Sequence, residues 1–430
     1  MSDTPLSNLT EAGPTRAFVL HPDLKSDRTR RPAVAALAEA VALAGALPGL
    51  EVVSAEIVNL PRAQPGLFFG KGKVEELRLR IEAEEAELVL VDGVITPVQQ
   101  RNLEKAWGVK LLDRTGLILE IFADRARTRE GVLQVELAAL SYQRTRLVRA
   151  WTHLERQRGG LGFVGGPGET QIEADRRAID DAVIRIRRQL SKVMKTRALH
   201  RSARKKVPFP VVALVGYTNA GKSTLFNRMT GADVFVKDML FATLDPTMRS
   251  VELPAGDEVI FSDTVGFISD LPTQLVAAFR ATLEEVLDAD LILHVRDVSH
   301  AETEGQAEQV MRILSDLGVS DDAPMIEVWN KTDLLSEDER NEKVQIAERR
   351  EDVFSISALT GAGIETMLNA ISENLTPARI EQVLTLPYSE GRKRAWLYQQ
   401  GVIETEEQAE GGSAITVLWT LRQSKTFRGL

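Results

Sequence analysis

The run from Pro210 to Met229 restricts what this chain can fold into more than any other. Pro210-Val-Val-Ala-Leu-Val215 is apolar and β-branched, the composition of a buried strand. It leads straight into Gly216-Tyr217-Thr218-Asn219-Ala220-Gly221-Lys222-Ser223-Thr224, and then into the helical Leu225-Phe-Asn-Arg-Met229. Strand, glycine-bounded loop and helix form the phosphate-loop arrangement. Loop N–H groups face the phosphates, Lys222 reaches the β- and γ-phosphates, and the Ser223 hydroxyl takes a Mg²⁺ position. Such a unit belongs in an open, mostly parallel α/β sheet, where ligands bind outside the strands' carboxyl ends.

Three more strand ends follow in the order a nucleotide site requires. Val259-Ile-Phe-Ser262 runs into Asp263-Thr264-Val265-Gly266, where the carboxylate can hold the Mg²⁺ shell and the Gly266 N–H can sense the γ-phosphate. Met325-Ile-Glu-Val-Trp329 runs into Asn330-Lys331-Thr332-Asp333. A carboxylate only accepts, so Asp333 matches the two donors on the guanine edge (N1–H and N2–H₂). Adenine offers no such pair, and an unpaired carboxylate costs about 1–3 kcal/mol or more. Val353-Phe-Ser-Ile356 ends at Ser357-Ala358-Leu359, whose N–H groups can meet guanine O6. Each of these is a common turn former taken alone. Together, in order, they predict GTP as the ligand. The γ-phosphate-sensing loop then falls in Phe241-Ala242-Thr243-Leu244-Asp245-Pro246-Thr247, with Thr243 as the second Mg²⁺ hydroxyl and Thr247 as the alternative.

No catalytic base stands out. Phe267 follows Gly266, where many GTPases carry the glutamine that orients attacking water. Lys222 and Thr243 are the contributors expected to hydrolysis, and intrinsic turnover should be slow. Asn219 is a possible K⁺ ligand beside the phosphates.

The rest of the 430 residues exceeds one core and implies several domains. A hydrophobic content of 43% with 27% charged residues excludes wholesale disorder. The absence of cysteine excludes disulfides and thiolate metal sites and suits a reducing, cytoplasmic setting. Residues 1–15 have no apolar core, so neither a secretory leader nor a transit peptide is expected, only a disordered start. Residues 16–126 alternate strand-like runs (17–20, 51–58, 87–91, 109–113) with helical ones (33–46, 74–85, 97–107), an α/β domain. The Ala-rich stretch Ala33 to Leu50 contains Glu39 and reads as a buried helix rather than a membrane span. Phe69-Gly-Lys-Gly-Lys73 is a plain turn or a weak anion site.

Residues 127–206 change character. Leu133, Leu137, Leu140, Leu147, Trp151 and Leu154 make one seam, with Arg144 in its only gap. Ile172, Ile179, Val183, Ile186, Leu190 and Val193 make a second, opened by a capping-box spacing of Thr170 and Glu173. Two seamed helices with a short link predict an antiparallel hairpin. The link, 158–170, has six glycines within ten residues, more than a turn needs. It reads as a contact tip, with Arg156, Arg158, Gly159, Gly160 and Phe163 as the contact residues, or else as a floppy loop. From Arg125 to Lys206 there are 20 Lys and Arg against 8 Asp and Glu, a local +12 in a chain of net charge −9. That points to a polyanionic partner, or to a solvated helical face. The GTPase domain is expected over 208–376 and a small α+β domain over 384–430, with helix 391–400 and strands 402–404 and 414–421.

With these residues in hand, the chain resembles the HflX family of translation-factor-related GTPases. The resemblance rests on Phe241-Ala-Thr-Leu-Asp-Pro-Thr247, on Asp263-Thr-Val-Gly-Phe267 and on Arg158-Gly-Gly-Leu-Gly-Phe-Val-Gly-Gly-Pro-Gly-Glu-Thr-Gln171 followed by Glu173, Asp175 and Arg176-Arg177. It extends to Phe69-Gly-Lys-Gly-Lys-Val-Glu-Glu-Leu77, with Lys71 where Gln or Thr is more usual. It spans about residues 16 to 421. It implies an α/β domain, a helical hairpin, a GTPase domain and a small last domain, with Ser223 and Thr243 as Mg²⁺ ligands. It also implies binding to the large ribosomal subunit, with the glycine-rich tip near the peptidyl-transferase RNA, and splitting of stalled or idle ribosomes. A monomer is expected. Large-subunit assembly, or a regulatory switch acting through a protein or membrane partner, is the alternative. The lack of a lipidation motif argues against the membrane version.

Overall fold

The computed structural model describes residues 13–27, 30–157, 167–204, 209–231, 240–241, 243–254, 256–269, 285–320, 322–375, 379–409, 412–420, 424 and 427. They fall into two units, one drawn from Met1–Val251 and Glu258–Ile364, the other from Glu252–Asp257 and Glu365–Leu430.

The first unit opens with β1 (Thr15–Leu24), α1 (Ala33–Gly45), β2 (Leu50–Leu60), α2 (Lys71–Ala83), β3 (Leu88–Val91), α3 (Pro97–Trp107) and β4 (Lys110–Asp113). The four strands form a parallel sheet in the order β2-β1-β3-β4. Helices cover it, so β3 (Leu88-Val-Leu-Val91) is apolar at every position and buried throughout. α3 starts where its sequence says it must: Pro97 sits in the first turn, and Thr96 and Gln99 cap each other reciprocally. α1 buries Ala36, Ala40, Leu43 and Ala44 on one face, as an amphipathic helix should. Among the described residues no helix is long and apolar enough to cross a membrane. In the Phe69–Lys73 run, Phe69 is buried and Lys73 is held by Glu56 and Glu76, each at 2.7 Å. Its ammonium is thus already paired with carboxylates.

One helix escapes the pattern reading. α4 (Arg114–Arg125) follows β4 without a loop, because the Asp113 side chain caps it by accepting from Gly116 N at 2.9 Å. The hairpin comes next, α5 (Arg129–Gln157) and α6 (Pro167–Arg204). α6 begins at Pro167, so Thr170 lies inside its first turn instead of capping it; proline at a helix start explains the earlier onset. Leu133, Val183 and Ile186 are buried in the seam, and Arg144 fills its gap by pairing with Asp180 across the hairpin at 2.8 Å. Tyr142 and Arg146 bind Asp113 at 2.6 and 3.1 Å and tie the base of α5 to the first sheet.

β5 (Val211–Gly216), α7 (Lys222–Thr230), β6 (Thr247–Glu252), β7 (Glu258–Asp263), β8 (Leu291–Asp297), α8 (Thr303–Leu317), β9 (Met325–Asn330), α9 (Glu337–Ala347) and β10 (Val353–Ser355) complete this unit. Their sheet runs β10-β9-β8-β5-β7-β6, with β5, β7, β8, β9 and β10 paired in parallel. This is the fold of a P-loop GTPase.

After α10 (Ile364–Leu375) the second unit holds β11 (Arg379–Pro387), α11 (Gly391–Gln400), β12 (Ile403–Ala409) and β13 (Gly412–Thr420). The strands form an antiparallel sheet, β11-β13-β12, over a core of Leu386, Leu397, Ile415, Val417, Trp419 and Phe427. Three strands stand here where sequence pattern gave two. β11 carries Arg379, Glu381, Gln382 and Thr385, too polar for a strand signal, yet pairs with β13 along its whole length.

Candidate nucleotide site

The phosphate loop hangs between β5 and α7, and three glycines let its surroundings close on it. Gly216 has φ 152° and Gly221 φ 91°. A Cβ on Gly216 would overlap the Val295 carbonyl of β8, and one on Gly221 the Asn330 Nδ2. On Gly266 it would lie 2.9 Å from Thr218 Cα and 3.0 Å from Lys222 Nζ. Only hydrogen fits at such approaches. Asn219, at φ 60°, is exposed at the loop's crest, a conformation asparagine tolerates better than most residues. The Asp263–Phe267 run is joined to the loop by Thr218 N donating to Phe267 O at 2.6 Å and Phe267 N to Gly216 O at 3.1 Å.

Lys222, Ser223, Thr243 and Asp263 meet at one point. Ser223 Oγ and Thr243 Oγ1 lie 2.9 Å apart and bind Asp263 Oδ2 at 2.7 and 2.8 Å. The other Asp263 oxygen, Oδ1, is buried and has no hydrogen-bond partner. An orphaned carboxylate oxygen beside two hydroxyls is a hard-oxygen donor set, and it fits Mg²⁺. Thr247 instead opens β6, so the structure brings Thr243 to Ser223 and Asp263. Ala242 lies outside the described residues. Lys222 Nζ donates to the Gly216 and Tyr217 carbonyls at 3.1 and 2.9 Å. Burial pulls its pKa down to about 8 against the pull of Asp263, and burial likewise pushes Asp263 up. Both charges are held under desolvation, a condition that an anionic phosphate and a cation would relieve.

The base end is built around Asn330, which is 1% exposed. Its Nδ2 donates to Ala220 O at 2.8 Å, and its Oδ1 accepts from Ala358 N at 2.9 Å. One side chain therefore sets the phosphate loop against the Ser357-Ala358-Leu359 loop. Lys331, at φ 66°, pairs with Asp297 at 2.8 Å; Thr332 Oγ1 donates to Ile356 O at 2.9 Å. Asp333 is half-buried, with Oδ1 accepting from Ser357 Oγ at 2.5 Å. Arg228 clamps the same loop through the carbonyls of Ala358 (2.7 Å) and Leu359. The Ala358 N–H is thus directed at Asn330, while the Ser357 N–H is bonded to Ala362 O at 3.0 Å within the loop. Thr264 Oγ1 anchors its run on Leu214 O at 2.6 Å, while Thr224 lies in the first turn of α7 beside Ser223. Val265 and Phe267 are buried in the core, Phe267 only 2% exposed, so its ring cannot face an attacking water.

Several contacts cross from the first sheet and hairpin and have no linear signature. The Tyr217 hydroxyl accepts from Ser269 N at 2.7 Å and meets Glu39 at 2.5 Å. Arg114, buried between the two sheets, binds Glu39, Asp92 (2.6 Å) and the Ser269 carbonyl (2.9 Å). His21 adds a 2.7 Å bond to Asp92. Burial opposes the ionisation of Asp92, but His21 and Arg114 outweigh it and hold the carboxyl below its usual range. A large phenol in a loop of small residues was the one hint in the sequence. Phe241 and Leu244 are also buried, Phe241 edge-on to Phe122 of α4 with centroids 4.7 Å apart. Asp245, grouped by sequence with the nucleotide residues, is turned away instead. Its carboxylate is taken up by Arg127 N and Thr128 N, each at 2.8 Å, and by Thr128 Oγ1 at 2.5 Å. Arg156 lies in α5, though its side chain is not described; Arg158, Gly159, Gly160 and Phe163 lie outside the described residues.

Sheet order, phosphate loop and strand-end residues define a P-loop GTPase. Four family models match in succession: "GTP-binding GTPase N-terminal" over residues 34–123, "GTP-binding GTPase Middle Region" over 125–204, "50S ribosome-binding GTPase" over 211–331 and "HflX C-terminal domain" over 342–428. A GTPase HflX of Magnetococcus marinus is 50% identical over 402 residues, which cover 93% of this chain and 91% of that one. That of Escherichia coli is 46% identical over 365 residues, 85% of each chain, and that of Caldanaerobacter subterraneus 47% over 348 residues, 81% and 79%. The chain belongs to the HflX family of GTPases.

Proposed function

We propose that this protein hydrolyses GTP to GDP and phosphate, slowly on its own, and that it uses the GTP-bound state to bind the large ribosomal subunit and split stalled or idle ribosomes. The observation that carries the nucleotide reading is the convergence of Lys222, Ser223, Thr243 and Asp263 at one strand-end crevice, with Asn330 and Asp333 at its other end. Lys222 would leave its two carbonyls for the β- and γ-phosphates. Ser223 and Thr243 would hold Mg²⁺, with Asp263 behind them. Held by these residues, Mg²⁺ would supply positive charge to offset the negative charge of the phosphate tail. Gly266 N–H would meet the γ-phosphate. Asp333 would accept from guanine N1–H and N2–H₂, with the Ser357 hydroxyl holding its carboxylate in place, and Ala358 N–H would stand near O6.

Phe267 gives this site no side chain to orient water, which supports slow turnover that the ribosome would raise. Asn219, exposed at the loop crest, would help hold a K⁺ beside the phosphates. Equal GTPase rates in K⁺ and Na⁺, or an unaltered K⁺ response in Asn219→Ala, would remove that role.

Ribosome binding is supported by the local charge of +12 over Arg125–Lys206 and by the 50S-binding description of the matched family model. The tip residues Arg156, Arg158, Gly159, Gly160 and Phe163 would meet ribosomal RNA near the peptidyl-transferase region. Density-gradient sedimentation of ribosomes with the protein and GTP, GDP or a non-hydrolysable analogue tests the proposal. Co-migration with the large subunit and loss of intact ribosomes in the GTP state is expected, with affinity falling steeply as salt rises. Binding unmoved by salt would remove the electrostatic account, and intact ribosomes at saturating protein would remove splitting.

A further inference from the structure

The loop that brings Thr243 to Ser223 and Asp263 is fastened at both ends to parts of the chain outside the GTPase sheet. On one side Phe241 is buried against Phe122 of α4. On the other, Asp245 binds the start of the hairpin helix α5. Thr128, directly before that helix, accepts from Gly131 N through its Oγ1 at 3.0 Å, the bond of an N-cap residue. Asp245 in turn accepts from the Thr128 hydroxyl and from the Arg127 and Thr128 amides. Three donors converge on one carboxylate at a helix N-terminus, where negative charge is favoured. The helix has also made room for it: a Cβ on Gly131 would lie 2.5 Å from Asp245 Oδ1.

We infer that Asp245 is a positioning residue for the GTPase reaction. It couples the start of the hairpin to the Mg²⁺-binding hydroxyl two residues away, so that the placement of α5 sets the placement of Thr243. This rests on the guanine-nucleotide reading given above. Thr243 can reach the ion only while the loop holds its course from Phe241 to Asp245, and the two anchors of that course are Phe122 of α4 and the Arg127–Thr128 pair that leads into α5. A force on the hairpin tip would therefore be felt at Thr243 through Thr128 and Asp245, along covalent chain and three short hydrogen bonds.

The test measures affinity of the full chain for a non-hydrolysable GTP analogue with Mg²⁺ and for GDP in chelator, alongside amide exchange at Arg127 and Thr128. Asp245→Ala is expected to weaken the Mg²⁺-analogue complex by about five- to tenfold, the size of a lost helix-cap interaction. GDP binding in chelator should stay within about twofold of wild type, since that complex does not need Thr243. Thr128→Val, placed on the hairpin, should reproduce the same selective loss, while Thr128→Ser and Asp245→Asn should restore most of it. The Arg127 and Thr128 amides should gain exchange protection on adding the Mg²⁺-analogue complex, and lose that gain in Asp245→Ala. Selective loss in Asp245→Ala with wild-type behaviour in Thr128→Val would mean that Asp245 touches nucleotide or ion directly, overturning the coupling. Equal weakening of both ligands would reduce Asp245 to a structural cap and overturn it too. Failure of the wild-type chain to bind guanine nucleotide at all would instead overturn the reading beneath it.

Discussion

Replacing Asn330 by alanine would separate the framework of the base site from its recognition chemistry. The side chain is 1% exposed and makes two bonds, from Nδ2 to Ala220 O at 2.8 Å and from Ala358 N to Oδ1 at 2.9 Å. Truncation leaves a carbonyl on the phosphate loop and an N–H on the facing loop, both buried and both without partners. At about 1–3 kcal/mol each, the loss is roughly 2–6 kcal/mol. That is a large part of the roughly 5–15 kcal/mol typical of folded domains. At about 1.3 °C per kcal/mol for a unit of this size, the melting temperature should fall by roughly 3–8 °C. Nucleotide affinity should fall with it, because the two loops that frame the base lose their common anchor. Asp333→Asn is the control. Asp333 is half-buried, and its amide replacement can still accept from Ser357, so stability should change by less than about 1 kcal/mol. Guanine preference should nevertheless disappear and xanthosine triphosphate should bind better, since the new amide N–H₂ meets the carbonyl that xanthine carries at C2. Calorimetric melting of the nucleotide-free chain and titration with fluorescent nucleotides read the two effects. An Asn330→Ala protein that melts with wild type and binds GDP equally well would refute the reasoning.

His294, in the central strand β8, has its pKa pulled down to about 4 by burial, with Glu327 opposing and Arg296 and Lys222 assisting. Its folded value lies below the unfolded one near 6.5. Its contribution to stability is therefore complete above pH 6.5 and is lost as pH falls towards 4, by up to about 3 kcal/mol. Denaturant titrations of wild type and His294→Gln should diverge in slope over that range; parallel profiles would contradict the assignment. Gly216→Ala places a Cβ inside contact distance of the Val295 carbonyl, which cannot move without β8, so GDP affinity should fall at least tenfold; an alanine protein with normal affinity would show that the loop can shift. Phe267→Gln should not accelerate hydrolysis, because the position faces the core, and burying an amide there should destabilise by about 1–3 kcal/mol. A faster enzyme of unchanged stability would show that the side chain can turn outward.

Much of the fold was legible because each element announces itself locally. β3 is an unbroken apolar run, α3 carries proline and a capping box, and the phosphate loop has a spacing few other structures use. What was missed has physical reasons. α4 follows β4 with no turn residue between them, so Leu117-Ile-Leu-Glu-Ile-Phe122 looks like more strand. β11 alternates polar residues and gains its identity only from pairing with β13. The start of α6 was placed by a capping spacing, although a proline three residues earlier already satisfies a first turn. At the site, proximity in sequence put Asp245 with the nucleotide loop. Only the fold reveals that Arg127 and Thr128, more than a hundred positions away, offer its carboxylate three donors between them. The same limit hides Arg114, Glu39 and Tyr217, whose meaning lies in contacts between residues far apart in the chain.

Tyr217 gives that last contact an evolutionary and practical edge. A nucleotide loop is commonly treated as a cassette that can be moved between proteins, yet here its second residue reaches Glu39 and the Ser269 amide. Swapping in a relative's loop with a small residue at 217 would take one donor from Glu39, which Arg31 and Arg114 would still hold, and leave the Ser269 amide without its acceptor. Position 217 is therefore tied to position 39, and a library varying both at random should yield functional clones chiefly where the hydroxyl is kept together with the carboxylate that Arg31 and Arg114 also bind.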